Sequence, residues 1–93
     1  MLKNSSPAWS IVFARSAGKE LQNLDASVSL RLFSKIEKLQ FNPRPAGCKK
    51  LAGHNTLWRI RVGNYRVVYT IDDACYQVDI TIIRHRSKAY EGL

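Results

Sequence analysis

Residues 57–71, LWRIRVGNYRVVYTI, read as two β-strands closed by a two-residue loop at Gly63-Asn64. Gly followed by Asn between two alternating runs of β-branched and aromatic residues is a tight-hairpin signal of the type I′ or II′ kind. Such a loop sets the register: Val62 opposite Tyr65, Arg61 opposite Arg66, Ile60 opposite Val67 and Arg59 opposite Val68. Side chains alternate across a strand. One face then carries Trp58, Ile60, Val62, Tyr65, Val67 and Tyr69, and the other Arg59, Arg61 and Arg66 with Val68 and Thr70.

The arginine face is costly as plain structure. Like charges directly opposite each other weaken a sheet, on the scale of roughly 0.2–1 kcal/mol per cross-strand pair. Arg61 facing Arg66 therefore reads as repulsion tolerated for the sake of an anionic ligand. The alternative is a solvated outer face whose arginines lean apart into water, a common arrangement on antiparallel sheets.

The whole chain supports the first reading. Its 93 residues make one domain, 1–93, with 15 Lys and Arg against 7 Asp and Glu, a formal net charge of +8. A 45% hydrophobic content excludes a disordered polyelectrolyte, so the excess charge belongs to a folded surface. A polyanionic partner follows: nucleic acid, an acidic protein or an anionic membrane surface. The charge is also segregated. No Asp or Glu occurs from Lys38 to Ile71, where Lys38, Arg44, Lys49, Lys50, Arg59, Arg61 and Arg66 all fall; Arg84, Arg86 and Lys88 form a second knot. No apolar run is long enough for a membrane span. The opening MLKNSSPAWS lacks a hydrophobic signal region, so the expectation is a cytoplasmic protein. Cys48 and Cys75 have no metal-ligand spacing and read as two reduced thiols; no metal or cofactor is expected.

Working outward from the hairpin, Trp9 to Ala14 has the composition of a short strand. Ser16 offers an N-cap to a helix with Ala17, Leu21 and Leu24 on one side. A break at Asp25-Ala26-Ser27, with Ser27 or Asp25 as the cap, leads into a second helix, where Val28, Leu32, Ile36 and Leu39 form a stripe thickened by Phe33. Asn42-Pro43-Arg44-Pro45-Ala46-Gly47 stops it in a basic loop. Beyond the hairpin, a turn at Asp72-Asp73-Ala74 precedes a last strand with Tyr76, Val78, Ile80 and Ile82 on its apolar side. The order β-α-α-β-β-β predicts an α+β two-layer domain, an antiparallel sheet with the helical hairpin packed on one face and the basic face left open.

The run KKLAGHNTLWRIRVGNYRVVYTIDD, with VDITIIRHRSKAYE after it, resembles the RelE/ParE superfamily of bacterial type II toxin–antitoxin toxins over nearly the whole chain. The most specific parts are LWRIRVGNYRVVY and the closing His85-Arg86-Ser87-Lys88-Ala89-Tyr90. The resemblance implies a RelE-like fold and one of two activities. RelE-like members are ribosome-dependent endoribonucleases that cut messenger RNA in the decoding site, the A site, and so stop translation. ParE-like members inhibit DNA gyrase and generally lack the nuclease residues. Here Arg59 and Arg61 stand at basic positions of the first hairpin strand, Arg66 in the following Tyr-Arg-Val, Arg86 at the arginine of the last strand and Tyr90 at the C-terminal tyrosine. The RelE branch is the implied one.

Metal-free RNA cleavage uses the ribose 2′-hydroxyl as internal nucleophile, so the site must position it and stabilise a doubly charged phosphorane. Arginine suits the second task because its planar fork binds phosphate bidentately and stays charged. The implied catalytic set is Arg59, Arg61, Arg66, Arg86 and Tyr90. Arg61 and Arg66 hold the scissile phosphate, Arg86 stabilises the transition state, and Tyr90 stacks on a base or orients the hydroxyl. Arginine is a poor proton acceptor, so His85 is a candidate for acid–base work, against the reading of a structural histidine. Arg44, Lys49, Lys50 and Lys88 are candidates for binding RNA and ribosome, against that of a solvated loop. The implied partners are a cognate antitoxin, the ribosome with its messenger RNA, and promoter DNA only for the toxin–antitoxin complex. A non-catalytic nucleic-acid-binding module is the third reading.

Overall fold

The computed structural model describes residues 8–53 and 56–89; Tyr90, His54 and the lead-in 1–7 lie outside the described residues. The chain runs β1 (Ser10–Phe13), α1 (Arg15–Gln22), α2 (Ala26–Glu37), a 3-10 turn (Lys38–Gln40), β2 (Lys49–Lys50), β3 (Leu57–Val62), β4 (Tyr65–Asp72) and β5 (Gln77–His85). The strands form one sheet in the order β1-β5-β4-β3-β2. The α+β two-layer reading is borne out, with two additions. Lys49 and Lys50 extend the sheet as a short antiparallel edge beside Arg59 and Trp58. β1 lies against β5 and runs parallel to it, so the sheet is mixed. The two helices form the crossover that carries the chain from β1 over one face of the sheet to the opposite edge.

The hairpin takes the expected register, from Leu57 opposite Thr70 to Val62 opposite Tyr65. Gly63 has φ +59, whereas Asn64 is not among the residues with positive φ; a positive φ at the first loop position alone is the type II′ pattern.

The core is what the apolar face of the hairpin demanded. Ile60, Val62, Val67 and Tyr69 join Val78, Ile80 and Ile83 beneath Ala17, Leu32, Ile36 and Leu39. Leu32, Ile36 and Leu39 follow the i, i+4 then i+3 spacing of a helix stripe, and each is about 1% exposed. Phe33 departs from the expectation: it is 45% exposed, because one residue along from Leu32 the helix has already turned about 100° away from the sheet. Of the expected caps, Asp25 takes the N-cap position of α2, whereas Ser16 does not cap α1. Ala14 and Asp25 are the extended N-cap residues, neither makes a side-chain cap bond, and Ser16 and Ser27 lie inside the first turns. Packing of the apolar stripes holds these helices in place, as is usual for helices this short.

Tyr69 ties the loop to the sheet. Its buried hydroxyl donates to the Pro43 carbonyl at 2.7 Å. Burial, followed by the neighbouring Cys48, pushes the phenol above its ordinary range.

β5 is not a regular strand. Val68 pairs with Ile82 but Tyr69 pairs with Ile80, so Thr81 has no counterpart on β4. This is a β-bulge, one extra residue that re-aims everything after it. The Thr81 hydroxyl donates to the Val68 carbonyl at 3.0 Å, giving the bulge a fixed partner. Ile83, rather than the expected Ile82, therefore enters the core. Tyr76 also departs from its expected strand position. It sits at φ +52 just before β5, 56% exposed, with its ring edge-on to Trp9 at 5.1 Å.

Candidate nucleic-acid interface

The sheet face away from the helices carries a row of three arginines on three adjacent strands. Arg61 on β3 is paired with Arg66 on β4, and Arg66 is paired with Arg84 on β5. The bulge at Thr81 puts Arg84 there. Without it, the alternation that buries Val78 and Ile80 would have sent position 84 to the helix side. Arg66 is oriented by the hairpin itself: its Nη1 donates to the carbonyls of Gly63 at 3.2 Å and Tyr65 at 3.0 Å. A guanidinium held this way keeps its remaining donors in a defined direction, the condition for bidentate anion binding.

Arg59, two residues from Arg61 on the same face, is not on open surface. It is only 6% exposed, and Val68 opposite it is fully buried. The expectation of a wholly open basic face is corrected at this point, because the middle of that face is covered. Among the described residues, Arg59 Nε is a buried donor with no acceptor. Lys49 on β2 pairs with Arg59. A cavity of about 340 Å³ opens beside them, lined by Ala46, Gly47, Lys49, Arg59, Ile60 and Arg61.

The other candidates are dispersed. Arg86 follows β5 instead of lying on it; its backbone N–H donates to the Asn64 carbonyl at 2.7 Å, which pins the following turn to the hairpin loop. Lys88 is exposed in that turn. His85 pairs with Tyr65 and meets its ring edge-on at 5.6 Å, on the helix side of the sheet and away from the arginine row. Its Nδ1 lies 3.0 Å from the Ser87 hydroxyl and accepts from the Ser87 N–H at 3.3 Å. Arg44 and Lys50 gather on the other side of the sheet over the Trp58 ring, at 5.1 and 5.9 Å from its centroid. Arg44 is also held by a two-pronged ion pair to Asp73, at 3.2 and 2.9 Å, which draws the Asp73 carboxyl below its ordinary range. Of the four expected binding residues, Lys49 alone stands beside the arginine face by strand pairing.

Among the described residues, no group of three or more His, Cys, Asp and Glu side chains is placed to hold a metal ion. No helix among them is long and apolar enough to cross a membrane.

The architecture has relatives. Residues 11–90 match the model of the ParE toxin family of the type II toxin–antitoxin system parDE. The chain belongs to the RelE/ParE toxin superfamily. Toxin RelE3 of Methanocaldococcus jannaschii is 30% identical over 88 residues, covering 87% of this chain and 94% of the relative. The archaeal RelE–RelB complex from Pyrococcus horikoshii superposes with a TM-score of 0.77 at 25% identity, covering 88% of this chain and 99% of that one. The intact E. coli RelBE toxin–antitoxin complex gives 0.73 at 28% identity, with 84% and 96% covered.

In this RelE/ParE toxin the residue that sequence reasoning missed is Arg84. The signal was present. In the run ITII either Ile82 or Ile83 can follow Ile80 into the core, and choosing Ile83 calls for a bulge. Strict alternation from Val78 and Ile80 puts Arg84 on the helix side of the sheet, the wrong face.

Proposed function

We propose that this toxin is a ribosome-dependent, metal-independent endoribonuclease that cuts messenger RNA in the ribosomal A site. The observation that carries the reading is the row Arg61–Arg66–Arg84, three cations on neighbouring strands with Arg66 braced by the hairpin backbone. A transferring phosphoryl group gains negative charge in its transition state, and fixed guanidinium groups aimed at it stabilise that charge without having to reorganise. The 2′-hydroxyl loses its proton to water and attacks the adjacent phosphorus, the 5′-oxygen leaves and takes up a proton to become a 5′-hydroxyl, and a 2′,3′-cyclic phosphate remains. In this reading Arg61 and Arg66 grip the scissile phosphate and Arg84 completes the clamp. Arg86, at the exposed corner beside the hairpin loop, reaches toward the leaving group, and Tyr90 stacks on a base. Relatives named as RelE toxins support this branch.

The partners proposed are the ribosome with its messenger RNA and a cognate antitoxin. The antitoxin is supported by relatives whose structures are toxin–antitoxin complexes. Promoter DNA is a partner only of the pair, and the working compartment is the cytoplasm.

The second reading is a DNA gyrase inhibitor of the same fold, favoured by the family model's own description as a ParE toxin. Primer extension on messenger RNA in a stalled ribosome separates the two. The nuclease reading expects a cut within the A-site codon that is absent on naked RNA and lost in Arg66→Ala. No cut from folded protein that still arrests growth would move the function to gyrase.

A further inference from the structure

The cavity beside the arginine row has its own chemistry. Lys49 and Arg61 are exposed and Arg59 is 6% exposed, and all three line it; among the described residues no acidic side chain does. A buried guanidinium ordinarily requires a counter-charge, because taking a cation out of water is costly unless it is paired. Among the described residues Arg59 has none: its Nε is without an acceptor, its strand partners are Lys49 and Val68, and the stretch from Lys38 to Ile71 contains no Asp or Glu. Gly47 helps keep the space free. Continuing the β2–β3 pairing from Lys49↔Arg59 brings position 47 alongside Arg61, where a glycine at φ +90 leaves the wall without a side chain.

We propose that this cavity is a second phosphate site, in which Lys49 and Arg59 hold the phosphodiester next to the one seated on Arg61, Arg66 and Arg84. The proposal rests on the nuclease reading for the identity of the strand, but its binding chemistry is independent of cleavage. Arg59 and Arg61 are two residues apart on one strand face, hence about 6.6 Å apart along the strand. That is comparable to the step from one phosphate to the next in an extended RNA strand. The role of Arg59 is then to set the register of the RNA by gripping a neighbouring phosphate, a task suited to a guanidinium; abstracting the 2′-hydroxyl proton is not. An RNA phosphate is preferred over a carboxylate of an acidic protein because Lys49 and Arg59 form a second cation row two residues along β3 from the first, a spacing that suits successive phosphates of one backbone.

The test uses no ribosome. The Arg59 Nε–H resonance of the full chain is followed during titration with inorganic phosphate, with sodium chloride at matched ionic strength as control. A saturable shift with phosphate alone is expected. Binding of a 2′-O-methyl tetranucleotide is then measured for the native protein and Lys49→Gln, using the all-phosphate strand and strands with one linkage made a neutral methylphosphonate. Lys49→Gln is expected to weaken the all-phosphate strand roughly tenfold, the scale of a lost charge-assisted contact. Neutralising one particular linkage should bring the two proteins to equal affinity.

Equal loss whichever linkage is neutral would overturn the site, since it would mean diffuse attraction. An Arg59 signal that moves alike with chloride would do the same, and so would binding of a polyglutamate peptide but not the oligonucleotide. A protein that passes these tests yet never cuts messenger RNA would keep the phosphate site and lose the nuclease reading. One that fails them yet cuts would keep the arginine row alone.

Discussion

Arg66 and Arg84 face each other directly across β4 and β5, and Arg61 faces Arg66 from the other side. Three like charges in one cross-strand row weaken the sheet that displays them. The hairpin spends two backbone carbonyls on orienting Arg66, which is hard to explain as charge spread for solubility. Arg66→Ala and Arg84→Ala are each expected to lower ribosome-dependent cleavage by about 10²–10³-fold, the scale of removing one preorganised donor from a developing anion. Both variants should keep a native circular dichroism spectrum. Arg84→Ala with full cleavage activity would remove Arg84 from the site.

Arg66→Lys separates charge from geometry. A lysine keeps the positive charge but cannot fork between the Gly63 and Tyr65 carbonyls and a phosphate. Cleavage should fall nearly as far as in Arg66→Ala, while growth of the salt sensitivity of binding stays close to native. Near-native cleavage in Arg66→Lys would mean that the site needs only a point charge there.

Leu32 and Phe33 are neighbours in sequence with opposite fates. Leu32→Ala removes a side chain 1% exposed and is expected to cost roughly 2–5 kcal/mol in urea unfolding. Phe33→Ala, at a position 45% exposed, should cost less than about 1 kcal/mol. Comparable losses in the two variants would contradict the helix orientation over the sheet.

That contrast marks how far the sequence could be read. The hairpin register was legible because Gly63-Asn64 leaves one way to pair the strands, and the core stripe Leu32, Ile36 and Leu39 because helical periodicity is local. Phe33 and Ile82 were misplaced because an apolar residue beside a stripe looks the same in sequence whether it packs or not. Arg84 was missed because a bulge at Thr81 is a tertiary choice, made by which of Ile82 and Ile83 fits the core. The burial of Arg59 could not be read at all. Nothing in an alternating strand announces that its outer face will be covered.

Tyr69 gives a pH prediction with a definite sign. Its phenol is held above the ordinary value of 10.0 in the folded protein, chiefly by burial. The stability this contributes is fully present below pH 10 and is lost as pH rises from there, because the unfolded chain ionises first. Tyr69→Phe should lower stability at neutral pH by about 1–3 kcal/mol, since it leaves the buried Pro43 carbonyl without its donor. It should also flatten the decline above pH 10. Urea midpoints measured from pH 8 to 11.5 on both proteins test this; parallel declines would show that the alkaline loss arises elsewhere.

Gly63 links the stability of the hairpin to the position of the site. At φ +59 a side chain is strained, and a Cβ there would stand 3.2 Å from Nη1 of Arg31 on α2. Arg31 ends in a flexible guanidinium and can give way, so most of the cost of Gly63→Ala should be conformational, about 1–2 kcal/mol. The same carbonyl that Gly63 offers to Arg66 belongs to this turn, and the Asn64 carbonyl holds the backbone of Arg86. Any relaxation of the loop therefore moves two cations together. Gly63→Ala should lose more cleavage activity than its stability loss explains at temperatures where it is fully folded. Replacing Gly63 by D-alanine through chemical synthesis, which accepts positive φ, should recover the stability and most of the activity. If D-alanine restores stability but not cleavage, the turn geometry at Gly63 does not govern the placement of Arg66.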